Sequence, residues 1–168
     1  ISRVGLIGQT RGIMQQNVLY SVEREYETDL DTMWNAWTDA SALESWYFPT
    51  GLAAVPGAFT SDAEVAGRWT VAVDVAAYGF VAYFWGRYLK VEPKKHLTHT
   101  MSYSQSLDEF TERSDDAPAH RVEVDFEQRG DKTWVRFSQF GEMPEEQIEA
   151  TKAGMGGYFD SLGLFLGR

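Results

Sequence analysis

The sequence predicts an α+β protein, a curved antiparallel sheet wrapped around one long C-terminal helix, with two short helices after the first strand. Three observations carry that prediction. Segments of period-two alternation follow one another from residue 68 to residue 140 with short connections, which makes an antiparallel sheet. Residues 144–166 repeat apolar side chains at helical spacing. Between the first strand and that sheet, two short runs have helical rather than alternating spacing. One long helix must then cover the apolar face of one sheet, and a sheet that does this curves around the helix.

The elements follow in order. VLYSVEREYET (18–28) sets Leu19, Val22 and Tyr26 among charges and reads as a strand. Asp29 is an N-cap for LDTMWNAWT, where Leu30, Met33, Trp34 and Trp37 share a face. Asp39-Ala40-Ser41 breaks that helix, and Ala42–Trp46 forms a second. PTGLAAVPGAFTSDA (49–63) is a loop by its prolines and glycines, long enough to be a lid. RWTVAVDV (68–75), FVAYFWGRYLKVE (80–92) and HLTHTMSY (96–103) are strands, with Gly86 marking a bulge. QSLDEFTERSDDAP (105–118) is a second long loop, acidic and solvated. RVEVDFEQ (121–128) and TWVRFSQF (133–140) form a hairpin around Arg129-Gly130-Asp131. Pro144, Glu145, Glu146 and Glu149 suit the start of the last helix. Gly154, Gly156, Gly157 and Gly163 interrupt it at about 1 kcal/mol each, so close packing or room for a ligand must explain them.

With 168 residues and no break in composition, the chain reads as one domain over 18–168. Residues 1–17 read as a natural arm or a remnant of expression, with Met14 as an internal start. They show no signal-peptide pattern. The net charge of −10 disfavours nucleic acid and anionic membrane surfaces as partners. No run is long and apolar enough to span a membrane. The absence of cysteine removes disulfides, thiolate nucleophiles and cysteine-held metals, and fits a cytoplasmic protein. A homodimer through a sheet edge or helix face is compatible with the pattern.

Six Trp, eight Tyr and ten Phe are the compositional signature. Rings give large apolar area on few rotatable bonds, and the plain reading is a ring-rich core. Trp34 and Trp37, three apart on one helix, fit that reading. Trp46, Tyr47 and Phe48 precede the first long loop, where rings suit the mouth of a cavity as well as a core. Trp69, Tyr83, Tyr158 and Phe159 would complete an aromatic wall, with the facing of Tyr83 dependent on the bulge. On the strand 96–103, Leu97, His99, Met101 and Tyr103 share a face. Phe137 lies on the matching face of the last strand, and Met155 on the last helix.

His99 is the candidate polar group. An isolated His on an apolar face reads first as a satisfied core residue; its functional reading is an anchor for a phenol or carboxylate, or an acid/base group. His96 falls on the opposite face and His120 at a solvated loop edge. No His-Glu-x-x-His stretch is present, so no metal site is expected. Gly-Met-Gly-Gly at 154–157 lies inside a helix and is no dinucleotide fingerprint, so no cofactor is expected. There is no Gly-x-Ser-x-Gly elbow.

Three stretches resemble a known family. MWNAWTDASALESWYFP, GRYLKVEPKKHLTHT and KAGMGGYFDSLGLFL occur in the order found in the START-like, or SRPBCC, superfamily, in the subgroup of homologues of the activator of the 90-kDa heat-shock protein ATPase. The resemblance spans roughly residues 18–167. Met155 stands where that family usually has Trp, and the 105–118 loop is longer and more acidic. The resemblance implies a helix-grip fold with a hydrophobic cavity between sheet and helix. Superfamily members bind lipids, sterols, phenolics or polyketides there, and some are cyclases or aromatases. The namesake activators bind a chaperone but carry a further domain that 17 residues do not supply, so that role is discounted.

The expectation is a binding module, not an enzyme, holding a small hydrophobic or amphipathic, aromatic ligand, phenolic or polyketide-like. Its contacts would be Trp46, Tyr47, Phe48, Trp69, Tyr83, His99, Met101, Tyr103, Phe137, Met155, Tyr158 and Phe159. The alternatives are a cyclase- or aromatase-type enzyme working through His99, and a protein-binding domain with a filled core.

Overall fold

The computed structural model describes residues 12–167. Residues 1–11, most of the expected arm, lie outside the described residues. The chain folds as a helix-grip: one curled antiparallel sheet holds a long helix on its concave face.

β1 (Val18–Tyr26) leads to α1 (Leu30–Thr38) and α2 (Ala40–Trp46). Asp29 caps α1 by accepting from the Thr32 N–H at 2.7 Å, as its position suggested. The second helix begins two residues earlier than expected. Asp39 ends α1 and also caps α2, its carboxylate accepting from the Ala42 N–H at 2.9 Å. One acidic residue thus serves two helix ends and sets the angle between them.

The first long loop is held rather than free. β2 (Ala53–Ala54) and β3 (Thr60–Ser61) pair with β4 (Arg68–Val75), and the Thr50 N–H donates to the Gly157 carbonyl. β5 (Phe80–Glu92), β6 (His96–Ser104), β7 (His120–Arg129) and β8 (Lys132–Phe140) continue the sheet. Its order is β1-β8-β7-β6-β5-β4-β2, with β3 also on β4. The β7–β8 turn uses Gly130 at φ +66°.

The bulge falls at Leu89, not Gly86. Gly86 pairs regularly with Trp69, and the β5–β6 register slips between Tyr88 and Lys90. Gly86 serves close packing instead. A Cβ there would sit 2.1 Å from the Thr100 carbonyl and 2.7 Å from Trp69 Nε1, so its absence lets the indole cross β5 and donate to that carbonyl at 3.0 Å. The slip moves the inward face from Tyr88 to Val91 and leaves Tyr83 outside.

The second long loop is also structured. It contains α3 (Leu107–Glu112). Phe110 stacks on Tyr83 at 4.8 Å, Trp85 Nε1 donates to the Ser114 carbonyl, and Asp115 pairs with Arg87 at 2.9 Å. These contacts bind it to the convex face of the sheet.

α4 (Glu145–Leu166) fills the grip, but its buried residues, Met155, Phe159, Ser161 and Leu162, all lie from its midpoint onward. There it meets α1 and α2 in a cluster of rings centred on Trp37, which lies 4.8 Å from Trp46, 6.3 Å from Phe126 and 6.1 Å from Phe159. Gly157 abuts Pro49 and Gly163 abuts Tyr26, whereas Gly154 has nothing within 4 Å. Close contact explains the first two glycines.

Candidate functional site

The other half of the concave face is open. A cavity of about 1180 Å³ lies under the N-terminal half of α4. Its floor is apolar because the inward residues of the central strands are: Val73 and Val75 of β4, Phe80, Ala82 and Phe84 of β5, Met101 of β6 and Phe137 of β8. Met155, Thr151, Gly154 and Tyr158 of α4 form its roof, and Tyr47, Pro49 and Leu52 one side. Residues 15–17 and 118–120 border its mouth, where half-exposed Tyr103 also sits.

Polar groups gather at one wall. Tyr20 Oη donates to Gln139 Oε1 at 2.6 Å, Gln139 Nε2 donates to His120 Nδ1 at 2.7 Å, and His120 Nε2 donates to the Glu142 carbonyl at 3.1 Å. Gly141, at φ +154°, makes room for this chain, since a Cβ there would lie 2.5 Å from His120 Cδ2. The rings of Tyr47 and Tyr158 meet edge to face at 5.1 Å. Neither hydroxyl has a hydrogen-bond partner among the described residues. Burial raises the pKa of all three phenols, Tyr20, Tyr47 and Tyr158, and their mutual proximity raises those of Tyr20 and Tyr47 further. All three are therefore neutral. Among the described residues no Lys or Arg lines the cavity, and Glu142 at the mouth is the one carboxylate.

Of the residues singled out from sequence, the cavity brings together Tyr47, Met101, Tyr103, Phe137, Met155 and Tyr158. It does not bring in the other six. Trp46 is fully buried and gives its Nε1–H to the Ala36 carbonyl at 2.7 Å, so it is core. Phe159 is fully buried beside Trp37. Phe48 is half-buried just past α2, outside the lining. Tyr83 faces the convex side because the slip comes after it. Trp69 and His99 fill the packed end, their rings 4.6 Å apart, with Tyr88 5.9 Å from His99. His99 Nδ1 lies 2.9 Å from the Thr100 carbonyl, and burial pushes its pKa down to about 4. It is a satisfied, neutral core histidine.

Sequence reasoning missed Tyr20, Gln139 and His120. The alternation placed Gln139 on the same face as Phe137, which was the available signal. His120 is half-buried rather than solvated, held by a glycine twenty-one positions away in sequence. The segment 12–17 is also part of the site: Gln16 Nε2 donates to the Ala119 carbonyl, and Arg121 Nη1 donates to that of Ile13. Among the described residues no group of three or more His, Asp or Glu side chains could hold a metal ion. Among the described residues no helix is long and apolar enough to cross a membrane.

Solved structures share this fold. Protein CV1439 from Chromobacterium violaceum is 20% identical, with 90% of this chain and 99% of that chain aligned at a TM-score of 0.73. A Staphylococcus epidermidis protein is 16% identical over 91% of each chain, at a TM-score of 0.72. Ms6760 from Mycobacterium smegmatis is 14% identical over 87% of this chain and 88% of its own, at 0.71. Identities this low speak to the fold alone. A search of curated proteins gave no significant match. The family model described as Activator of Hsp90 ATPase homolog 1-like protein matches residues 27–167. A START-like helix-grip protein by fold, the chain belongs to the Activator of Hsp90 ATPase homolog 1-like protein family.

Proposed function

We propose that the protein binds a small hydrophobic or amphipathic, aromatic molecule, phenolic or polyketide-like, between the sheet and the C-terminal helix. The supporting observation is the cavity of about 1180 Å³, whose floor is apolar and whose wall carries the phenols of Tyr20, Tyr47 and Tyr158 with the Gln139 amide and the His120 imidazole. Rings such as Tyr47, Tyr158, Phe84 and Phe137 suit stacking against an aromatic ligand. The described lining residues include no Lys or Arg, which does not suit an anion, since it would lose its hydration without gaining a counter-charge from them.

A thermal-shift screen tests this. Ligand at a hundredfold excess over Kd adds about 2.7 kcal/mol of stability, several degrees in Tm. Neutral phenolics and polyketide-like aromatics should raise Tm, while fatty acids and sterols should do so less. If no class shifts Tm at high concentration, the reading fails and a protein partner becomes the better explanation.

The cyclase- or aromatase-type reading draws support from a different observation, the Tyr20–Gln139–His120 chain. It sets an imidazole and a phenol at the cavity wall, where acid/base work on a folded polyketide chain needs them. His99 is not available for that role. Turnover of a poly-β-ketone substrate by the wild type, lost in His120→Phe with binding kept, would favour the enzyme.

A further inference from the structure

We infer that the cavity selects neutral ligands carrying a hydroxyl that donates to Tyr20 and, elsewhere on the molecule, a carbonyl that accepts from Tyr47 or Tyr158. This rests on the cavity being the binding site proposed above.

The Glu142 carbonyl can only accept. His120 Nε2, 3.1 Å away, must therefore carry a proton. In the neutral imidazole Nδ1 is then bare and accepts. Gln139 must turn its NH2 toward it, as found at 2.7 Å, and so turns Oε1 toward Tyr20. The Tyr20 proton is spent on Oε1 at 2.6 Å. What Tyr20 still offers is a lone pair. Gln139, which also lines the cavity, keeps one spare N–H. A ligand hydroxyl satisfies both, donating to Tyr20 and accepting from Gln139. An ether or a carbonyl can only accept and leaves Tyr20 unanswered.

The opposite holds at Tyr47 and Tyr158. Both line the cavity, Tyr47 is only 7% exposed, and neither hydroxyl is spent on another described residue. A ligand that covers these hydroxyls without accepting their protons leaves them buried and unpaired, which is costly, and both have protons to give. A ligand carbonyl supplies the missing acceptor. A carboxylate would also accept, but no cation among the described lining residues balances it.

Calorimetric titration of the whole chain with four matched probes tests this. 3-Hydroxybenzophenone carries both groups, 3-methoxybenzophenone lacks the donor, 3-benzylphenol lacks the carbonyl, and 3-benzoylbenzoate is the anion. The first should bind tightest, with each single loss weakening binding roughly fivefold. Tyr20→Phe should abolish the hydroxyl-over-methoxy preference and keep the carbonyl preference; Tyr47→Phe combined with Tyr158→Phe should do the reverse. The wild-type series reads the same preferences should a variant fail to fold. Equal binding by the three neutral probes, tighter binding of the anion, or a hydroxyl preference that survives Tyr20→Phe overturns this inference alone. Binding by none of the four overturns the cavity reading as well.

Discussion

Single residues separate roles that composition blends. His99 lies among Trp69, Tyr88 and a backbone carbonyl, where only the neutral ring is comfortable. Its pKa falls from 6.5 unfolded to about 4 folded, so the unfolded chain binds the proton more readily. Stability from this site is full above pH 6.5, declines as pH falls through that window, and is lower by about 3 kcal/mol below pH 4. Urea titrations across that range should show the decline in the wild type and a flatter acid limb in His99→Phe. Gly141 carries a different prediction. Alanine there displaces the His120 ring, so Gly141→Ala should alter the His120 imidazole signals by NMR and weaken the preference for hydroxylated probes about fivefold. Unchanged imidazole signals would show that the ring has room after all.

At the scale of elements, the glycines of α4 divide by what they touch. Gly154 has open space around its missing side chain, while a Cβ on Gly157 would approach that of Pro49 to 3.3 Å. Gly154→Ala should therefore stabilise the helix by about 0.5–1 kcal/mol, a rise in Tm of roughly 2 °C, and Gly157→Ala should give less or none. Much of this level was legible in the sequence. Alternation placed the main strands, Asp29 announced α1, and ring spacing put Trp34 and Trp37 in the core. What stayed hidden depended on contacts between distant segments. The slip at Leu89, which turns Tyr83 outward, has no local signature, because Gly86 looked the better candidate. Both long loops read as free because their two-residue strands, and the ion pair from Asp115 to Arg87, exist only once the sheet is formed. His120 looked solvated because Gly141 and Gln139 meet it only across a hairpin.

Across the whole molecule, packing and vacancy occupy opposite ends of one concave surface. The Trp37 cluster holds the fold together, and truncating such a ring costs about 3–5 kcal/mol, so Trp37→Ala should lower Tm sharply whatever ligand is present. Ala82 lies on the cavity floor. Ala82→Phe should leave Tm within a few degrees of wild type while abolishing the response to phenolic ligands. Should Ala82→Phe still respond, the ligand sits elsewhere. The pair of variants separates what keeps the protein folded from what it holds.

The one-sided burial of α4 gives this helix two regimes of local opening. Its turns around Phe159–Leu162 are pinned beneath the aromatic cluster, so their amide protons should exchange with solvent chiefly through global unfolding. Its first turns span a void and begin at Pro144 without a side-chain cap, so their amides exchange through local fraying. A guest beneath those turns slows that fraying. Deuterium uptake around residues 147–154 would then report occupancy of the cavity, while residues 159–165 stay silent.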